Sequence, residues 1–167
     1  MVPILKHRSL TDFATMSEQD MSALLARVHE LQSAVRAGTA RHALRGKNFG
    51  LLCGDAEDEQ TALFERAASA LGAQVAHVRP SLSEFSSQQD VQHTARVLGR
   101  LYDAVDCNGM APSLVRRIGA EAGVPVFEGI ASPQHPTARL VDMLEDGGSD
   151  EEKRCLVIQA VLLNALA

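Results

Sequence analysis

The chain has 167 residues, 46% of them apolar and 22% charged, which suits one domain with a sizeable core and excludes a disordered chain. A net charge of −5, without a cluster of Lys and Arg, argues against nucleic acid or an anionic membrane as partner. Residues 2–5 are too short for a secretory signal and 158–167 too short to span a bilayer, while three scattered cysteines suit reduced thiols in a cytoplasmic protein.

Along the chain, Ser17 with Asp20 three residues on predicts a helix start. Met21, Leu24, Leu25, Val28, Leu31 and Val35 share one apolar face, and Gly38 ends the helix. Residues 47–53 read as a buried strand and 57–71 as a helix with Leu63, Ala67, Ala70 and Leu71 inward. A second strand, 74–79, is broken by Pro80. A polar loop over 81–89 leads to a helix over 90–102, a strand over 104–107 and a helix over 112–122 with Pro at its first turn and Gly123 after it. Residues 124–127 form a fourth strand, and His135-Pro136 begins a helix reaching 145. After a break at 146–150, a last helix over 151–166 puts Cys155, Ile158, Leu162, Ala165 and Leu166 on one face.

Four alternations of strand and helix predict an α/β fold: three layers, α/β/α, around a central parallel sheet of about four strands. Ligands of such sheets bind at the carboxyl ends of the strands, here near 53–56, 79–83, 107–110 and 128–132. The first of these junctions has the form of a phosphate cradle, since a helix N-terminus offers free N–H groups and a positive dipole end. It carries Asp55, Glu57, Asp58 and Glu59 instead of residues that attract phosphate. Acids there also favour the dipole while solvated, and no Asp-x-Asp-x-Asp-Gly spacing is present, so no metal site is predicted. His7, His29, His42, His77 and His93 have no ligand spacing, and no Ser-His-Asp or Cys-His nucleophile can be argued from order.

Four segments carry a more specific signal: Leu44-Arg45-Gly46-Lys47-Asn48, Thr94-Ala95-Arg96-Val97-Leu98-Gly99-Arg100-Leu101-Tyr102-Asp103-Ala104, Ala122-Gly123-Val124-Pro125-Val126 and His135-Pro136-Thr137. In this order they resemble the ornithine carbamoyltransferase family and, more distantly, aspartate carbamoyltransferase. The resemblance runs over residues 4–145 and implies the N-terminal, carbamoyl-phosphate-binding domain. Glu152-Lys153-Arg154 and Ile158-Gln159-Ala160-Val161 resemble the family's C-terminal helix. The implied organisation is one unit over 1–167: an α/β core over 1–145, a linker at 146–150 in place of the second, amino-acid-binding domain, and a helix over 151–167 docked on the core.

The family's substrate contacts are carried over poorly. Its Ser-Thr-Arg-Thr-Arg run falls on Glu57-Asp58-Glu59-Gln60-Thr61, and its Arg-Gly pair on Asn108-Gly109. Its His-Pro-x-Gln falls on His135-Pro136-Thr137-Ala138, which keeps the His and loses the Gln. Loop positions that a neighbouring subunit contributes to the family's site fall on Glu84 and Gln88. The resemblance therefore implies a pseudoenzyme with no catalytic residue, cofactor or metal, acting in binding, assembly or regulation. It also implies a homotrimer, or mixing with a true carbamoyltransferase subunit. Two alternatives stand beside it. One is a pocket between 57–61, Asn108 and His135 that takes a neutral, cationic or amino-acid-like ligand. The other is carbamoyltransferase activity with a partner chain.

Overall fold

The computed structural model describes residues 17–53, 58–145 and 148–166. Helix α1, Glu18–Arg36, opens on a capping box: the Asp20 N–H donates to Ser17 Oγ at 3.1 Å, and the Ser17 N–H to Asp20 Oδ2 at 3.0 Å. Met21, Leu24, Val28 and Leu31 are buried beneath it. Val35 is not, because the core ends before the helix's last turn does.

Strands β1 (Asn48–Cys53), β2 (Gln74–Val78), β3 (Ala104–Asn108) and β4 (Val126–Glu128) form one parallel sheet in the order β2-β1-β3-β4. The connections are α2 (Glu59–Ala70), α3 (Gln88–Leu101) and α4 (Pro112–Ala122), and a long last helix, α5, covers Asp150–Leu166. One side of the sheet packs Phe49, Leu51 and Phe127 under α1, α2 and α5. The other packs Leu52, Val105, Cys107 and Val126 under α3 and α4. The three-layer α/β/α arrangement with four parallel strands matches the expectation from sequence.

Several details differ. β4 begins two residues late because Pro125 has no N–H for a ladder; its carbonyl accepts from the Val105 N–H at 3.0 Å instead. Residues 57–71 narrow to Glu59–Ala70, and Phe64 and Ala68 face inward where Ala70 does not. The helix expected over 135–145 is a 3-10 helix, Pro136–Met143, closed by short bonds such as Ala138 N–H to His135 O at 2.9 Å. That tighter winding keeps Leu140, Val141 and Leu144 in the core beside α5.

α5 packs against α1, α2 and this 3-10 helix. Residues 157–162 are buried in unbroken succession, so the helix sinks into the core instead of laying down one stripe. Gln159 is among them; its Nε2 donates to the Ala67 carbonyl at 3.0 Å and ties α5 to α2. Among the described residues no helix is long and apolar enough to cross a membrane.

Candidate functional site

β1 ends at Cys53, and α2 begins just past residues 54–57; Asp55 and Glu57 lie outside the described residues. The described part of this junction is closed on itself. Asp58 is the N-cap of α2, and its Oδ1 accepts from the N–H groups of Gln60 at 2.6 Å and Thr61 at 3.0 Å. Its Oδ2 accepts from Asn108 Nδ2 at 3.1 Å, and the same amide reaches Thr61 Oγ1 at 3.3 Å. Of the residues expected at the site, Asp58, Thr61 and Asn108 are thus brought together. Glu59 is exposed and Gln60 half-buried beside them. The chemical consequence is that two of the donors this helix N-terminus would offer an anion, the Gln60 and Thr61 N–H groups, are already taken by a carboxylate of the same chain.

Glu84 and Gln88 stand elsewhere on the rim, both exposed. Arg117 from α4 donates to the carbonyls of Glu84 at 3.3 Å and Ser86 at 2.8 Å, and Ser87 caps α3 through the Asp90 N–H at 3.1 Å. These bonds fix the backbone of the loop while the side chains of Glu84 and Phe85 are exposed.

His135 is buried and caps the 3-10 helix: its Nδ1 accepts from the Thr137 N–H at 3.3 Å and lies 2.8 Å from Thr137 Oγ1. Burial, with the positive charge of Arg154 nearby, lowers its pKa to about 4, so the imidazole is neutral at physiological pH. It lines a hollow of about 470 Å³ with Ala138, Arg139, Asp142, Asp150 and Arg154. Neither Asp58, Thr61 nor Asn108 lines that hollow, so the expected site residues fall into two groups.

Two residues here were not singled out from sequence. Arg154 read only as part of the last helix, yet its guanidinium donates to the Ala131 carbonyl beside His135. Asp106 lies in the middle of β3, 1% exposed, between Leu51 and Phe127. Its Oδ1 accepts from the Ile130 N–H at 3.2 Å, the Gly129 N–H bonds to it as well, and desolvation raises its pKa to about 7. An acid inside the apolar run Ala-Val-Asp-Cys was the signal that marks it. Burial and the neighbouring acids Asp106 and Glu128 push the Cys107 thiol far above its ordinary range, which keeps it protonated and unreactive. Among the described residues, no group of His, Cys, Asp and Glu is arranged to hold a metal ion.

Comparison with known proteins gives one consistent result. Residues 8–145 match the family described as aspartate/ornithine carbamoyltransferase, carbamoyl-P binding domain. Ornithine carbamoyltransferase of Actinobacillus pleuropneumoniae is 37% identical over 140 residues, which is 84% of this chain and 42% of that protein. Among solved structures, ornithine carbamoyltransferase from Gloeobacter violaceus aligns with a TM-score of 0.60 at 27% identity, over 82% of this chain and 44% of the other. The enzyme from Pyrococcus furiosus aligns with a TM-score of 0.69 at 22% identity, over 83% and 44%, which speaks for the fold. The chain spans less than half the length of the relatives it matches.

Proposed function

The chain belongs to the aspartate/ornithine carbamoyltransferase family, and from that premise we propose that it is a pseudoenzyme: a carbamoyl-phosphate-domain fold that no longer binds carbamoyl phosphate and acts as a binding or assembly protein. The observation that carries the reading is the Asp58 carboxylate, bonded to the Gln60 and Thr61 N–H groups and to Asn108 Nδ2. A negative group already sits where the helix would meet a phosphate, and the residues that would outcompete it are missing. The family's three arginines fall on Glu59, Thr61 and Asn108. A hydrogen bond to a charged group contributes roughly 1.5–3 kcal/mol. Three such losses amount to on the order of a thousand-fold or more in affinity. The carboxylates at Asp58 and Glu59 add repulsion of about 1 kcal/mol each at a solvated site. Both effects have the same sign.

In this proposal Glu57, Asp58, Glu59, Gln60, Thr61, Glu84, Gln88, Asn108, His135 and Ala138 are vestigial substrate positions. The core and α5 act as one unit, with 146–150 in place of a second domain. The retained scaffold forms a homotrimer or joins a true carbamoyltransferase as a regulatory subunit. Calorimetric titration with carbamoyl phosphate, with the mass in solution recorded on the same sample, tests it. The expected result is no heat at millimolar ligand from a trimer. Binding in the micromolar range, or carbamoyl transfer to ornithine or aspartate that vanishes in His135→Ala, would overturn it.

A second reading, a small-ligand protein, draws on the hollow beside His135. Arg139, Arg154, Asp142 and Asp150 all line it, and charges of both signs in one hollow suit a zwitterion such as an amino acid. Titration with ornithine or aspartate alone separates the two readings, because the pseudoenzyme proposal expects no heat from either.

A further inference from the structure

A cavity of about 680 Å³ opens where the end of α1, the end of α2 and the start of α5 meet, a volume in the range of small-molecule sites. Its apolar wall includes Val35 and Ala70, two residues whose spacing predicts a core position and which the structure leaves exposed. Leu71 and Leu156 continue that wall. The space exists because small residues surround it. Gly38, at φ 75°, carries the chain out of α1, and Ala40 and Ala70 stand where longer side chains would fill the gap.

Four charged side chains, Arg41, Arg66, Glu151 and Glu152, line the cavity, and three are already engaged. Arg66 Nη1 and Glu151 Oε1 form an ion pair at 2.8 Å. Glu152 Oε2 accepts from the Ser149 N–H at 3.2 Å, and the Glu152 N–H donates to Ser149 Oγ at 3.3 Å, which caps the start of α5. That leaves Arg41, whose guanidinium has no carboxylate partner among the described residues.

We propose that this cavity is a binding site for a small monocarboxylate with an apolar body. The planar guanidinium of Arg41 takes both carboxylate oxygens, and the body lies against Val35, Ala70, Leu71 and Leu156. One negative charge fits better than two, because Glu151 and Glu152 share the cavity and repel a dianion more strongly. A cation fits worse, since both acids are engaged and the unpaired charge is positive. The site is separate from the family's substrate positions: Asp58, Asn108 and His135 do not line it, and it shares no residue with the hollow beside His135. The proposal therefore does not depend on whether the chain binds carbamoyl phosphate.

The experiment is a titration of the 167-residue chain with phenylbutyrate, followed by two-dimensional amide NMR. Phenylbutylamine and inorganic phosphate serve as probes of charge and of the apolar body. The expected result is saturable binding in the millimolar range or tighter, with shifts centred on Gly38, Arg41, Leu71 and Leu156. Binding should weaken about tenfold in Arg41→Gln. It should vanish in Ala70→Phe, which fills the cavity and leaves Arg41 in place. Both substitutions fall on exposed residues, so both variants should fold. No saturable shift, an affinity unchanged in Arg41→Gln, or shifts gathered at the hollow beside His135 would overturn the proposal. So would equal binding of phenylbutylamine, or phosphate binding more tightly than phenylbutyrate, because charge or apolar body would then be irrelevant.

Discussion

The two sides of the sheet are built from different materials. Under α3 and α4 the core is apolar throughout, with Leu52, Val91, Leu98, Val105, Val115, Ile118 and Val126 in contact. Under α1, α2 and α5 the same sheet buries Asp20, Gln32, Thr61, Asp106, His135, Thr137 and Gln159 among its Phe and Leu residues. Every buried polar side chain described lies on that second side. One side is therefore an apolar scaffold whose buried thiol, Cys107, stays protonated. The other carries the buried polar groups described, among them His135 and Asp106, whose charge answers to pH, and Gln159, which ties α5 to α2.

The scaffold side should break most sharply and without regard to pH. α3 and α4 touch at Gly99, where a Cβ would lie 1.8 Å from the Ala122 carbonyl oxygen and 2.9 Å from its carbon. Both are backbone atoms, so a helix must move. Gly99→Ala is expected to cost about 3 kcal/mol or more. The loss should be equal at pH 5 and pH 8 in chemical denaturation; a loss confined to one pH would show that the two sides are coupled through the sheet.

Next comes Asp106. Its folded pKa, about 7, lies above the 3.8 of the unfolded chain, so the stability its proton provides is complete below about 3.8 and lost as pH rises to 7. Asp106→Asn removes that loss. It is expected to be more stable than the wild type by on the order of 2 kcal/mol at pH 8, with the advantage gone at pH 4. Denaturation midpoints across this range check it, and an advantage independent of pH would place Asp106 in its ionised form throughout.

His135 sharpens the contrast from the other direction. Its folded pKa, about 4, is below the unfolded 6.5, so the stability it provides is complete above 6.5 and lost as pH falls to 4. In His135→Gln the acid slope should flatten by about 1 kcal/mol or more over that interval. Asp106 and His135 therefore oppose each other between about pH 4 and 6.5, and in the wild type much of their pH dependence cancels. Only the single variants reveal it.

These two sides were unequally legible in the sequence. Periodicity and caps gave the elements: the Ser17–Asp20 box, Pro112 at the start of α4 and Gly123 at its end all stand in the structure as read. They are local, and local chemistry fixes them. The positions that failed depend on distant partners. Residues 135–145 have the spacing of an α-helix, but the chain enters from a turn pinned by Asp106 and Arg154 and winds as 3-10. Ala70 has the spacing of an inward residue, yet it sits at the end of α2, where Gln159 has already tied α5 to the Ala67 carbonyl one turn earlier. The Asp58–Asn108 bond joins residues fifty positions apart, and no pattern along the chain announces it.

The smallest effect bears most directly on function. Asp58→Ala removes an N-cap from α2 and leaves the Gln60 and Thr61 N–H groups and Asn108 Nδ2 without their acceptor. Loss of such a cap costs about 1 kcal/mol, or a fall in Tm of about 2–4 °C in a chain of this size. The same change uncovers the positive end of a helix. If the carboxylate alone kept phosphate out, inorganic phosphate should now restore the lost stability at millimolar concentration. If the missing arginines matter more, as three charged hydrogen bonds against one carboxylate argue, phosphate should have no effect on the variant. The second outcome is expected. It would mean that removing this one carboxylate does not by itself make an anion site of the helix end, and that the part Asp58 plays here is that of the N-cap of α2.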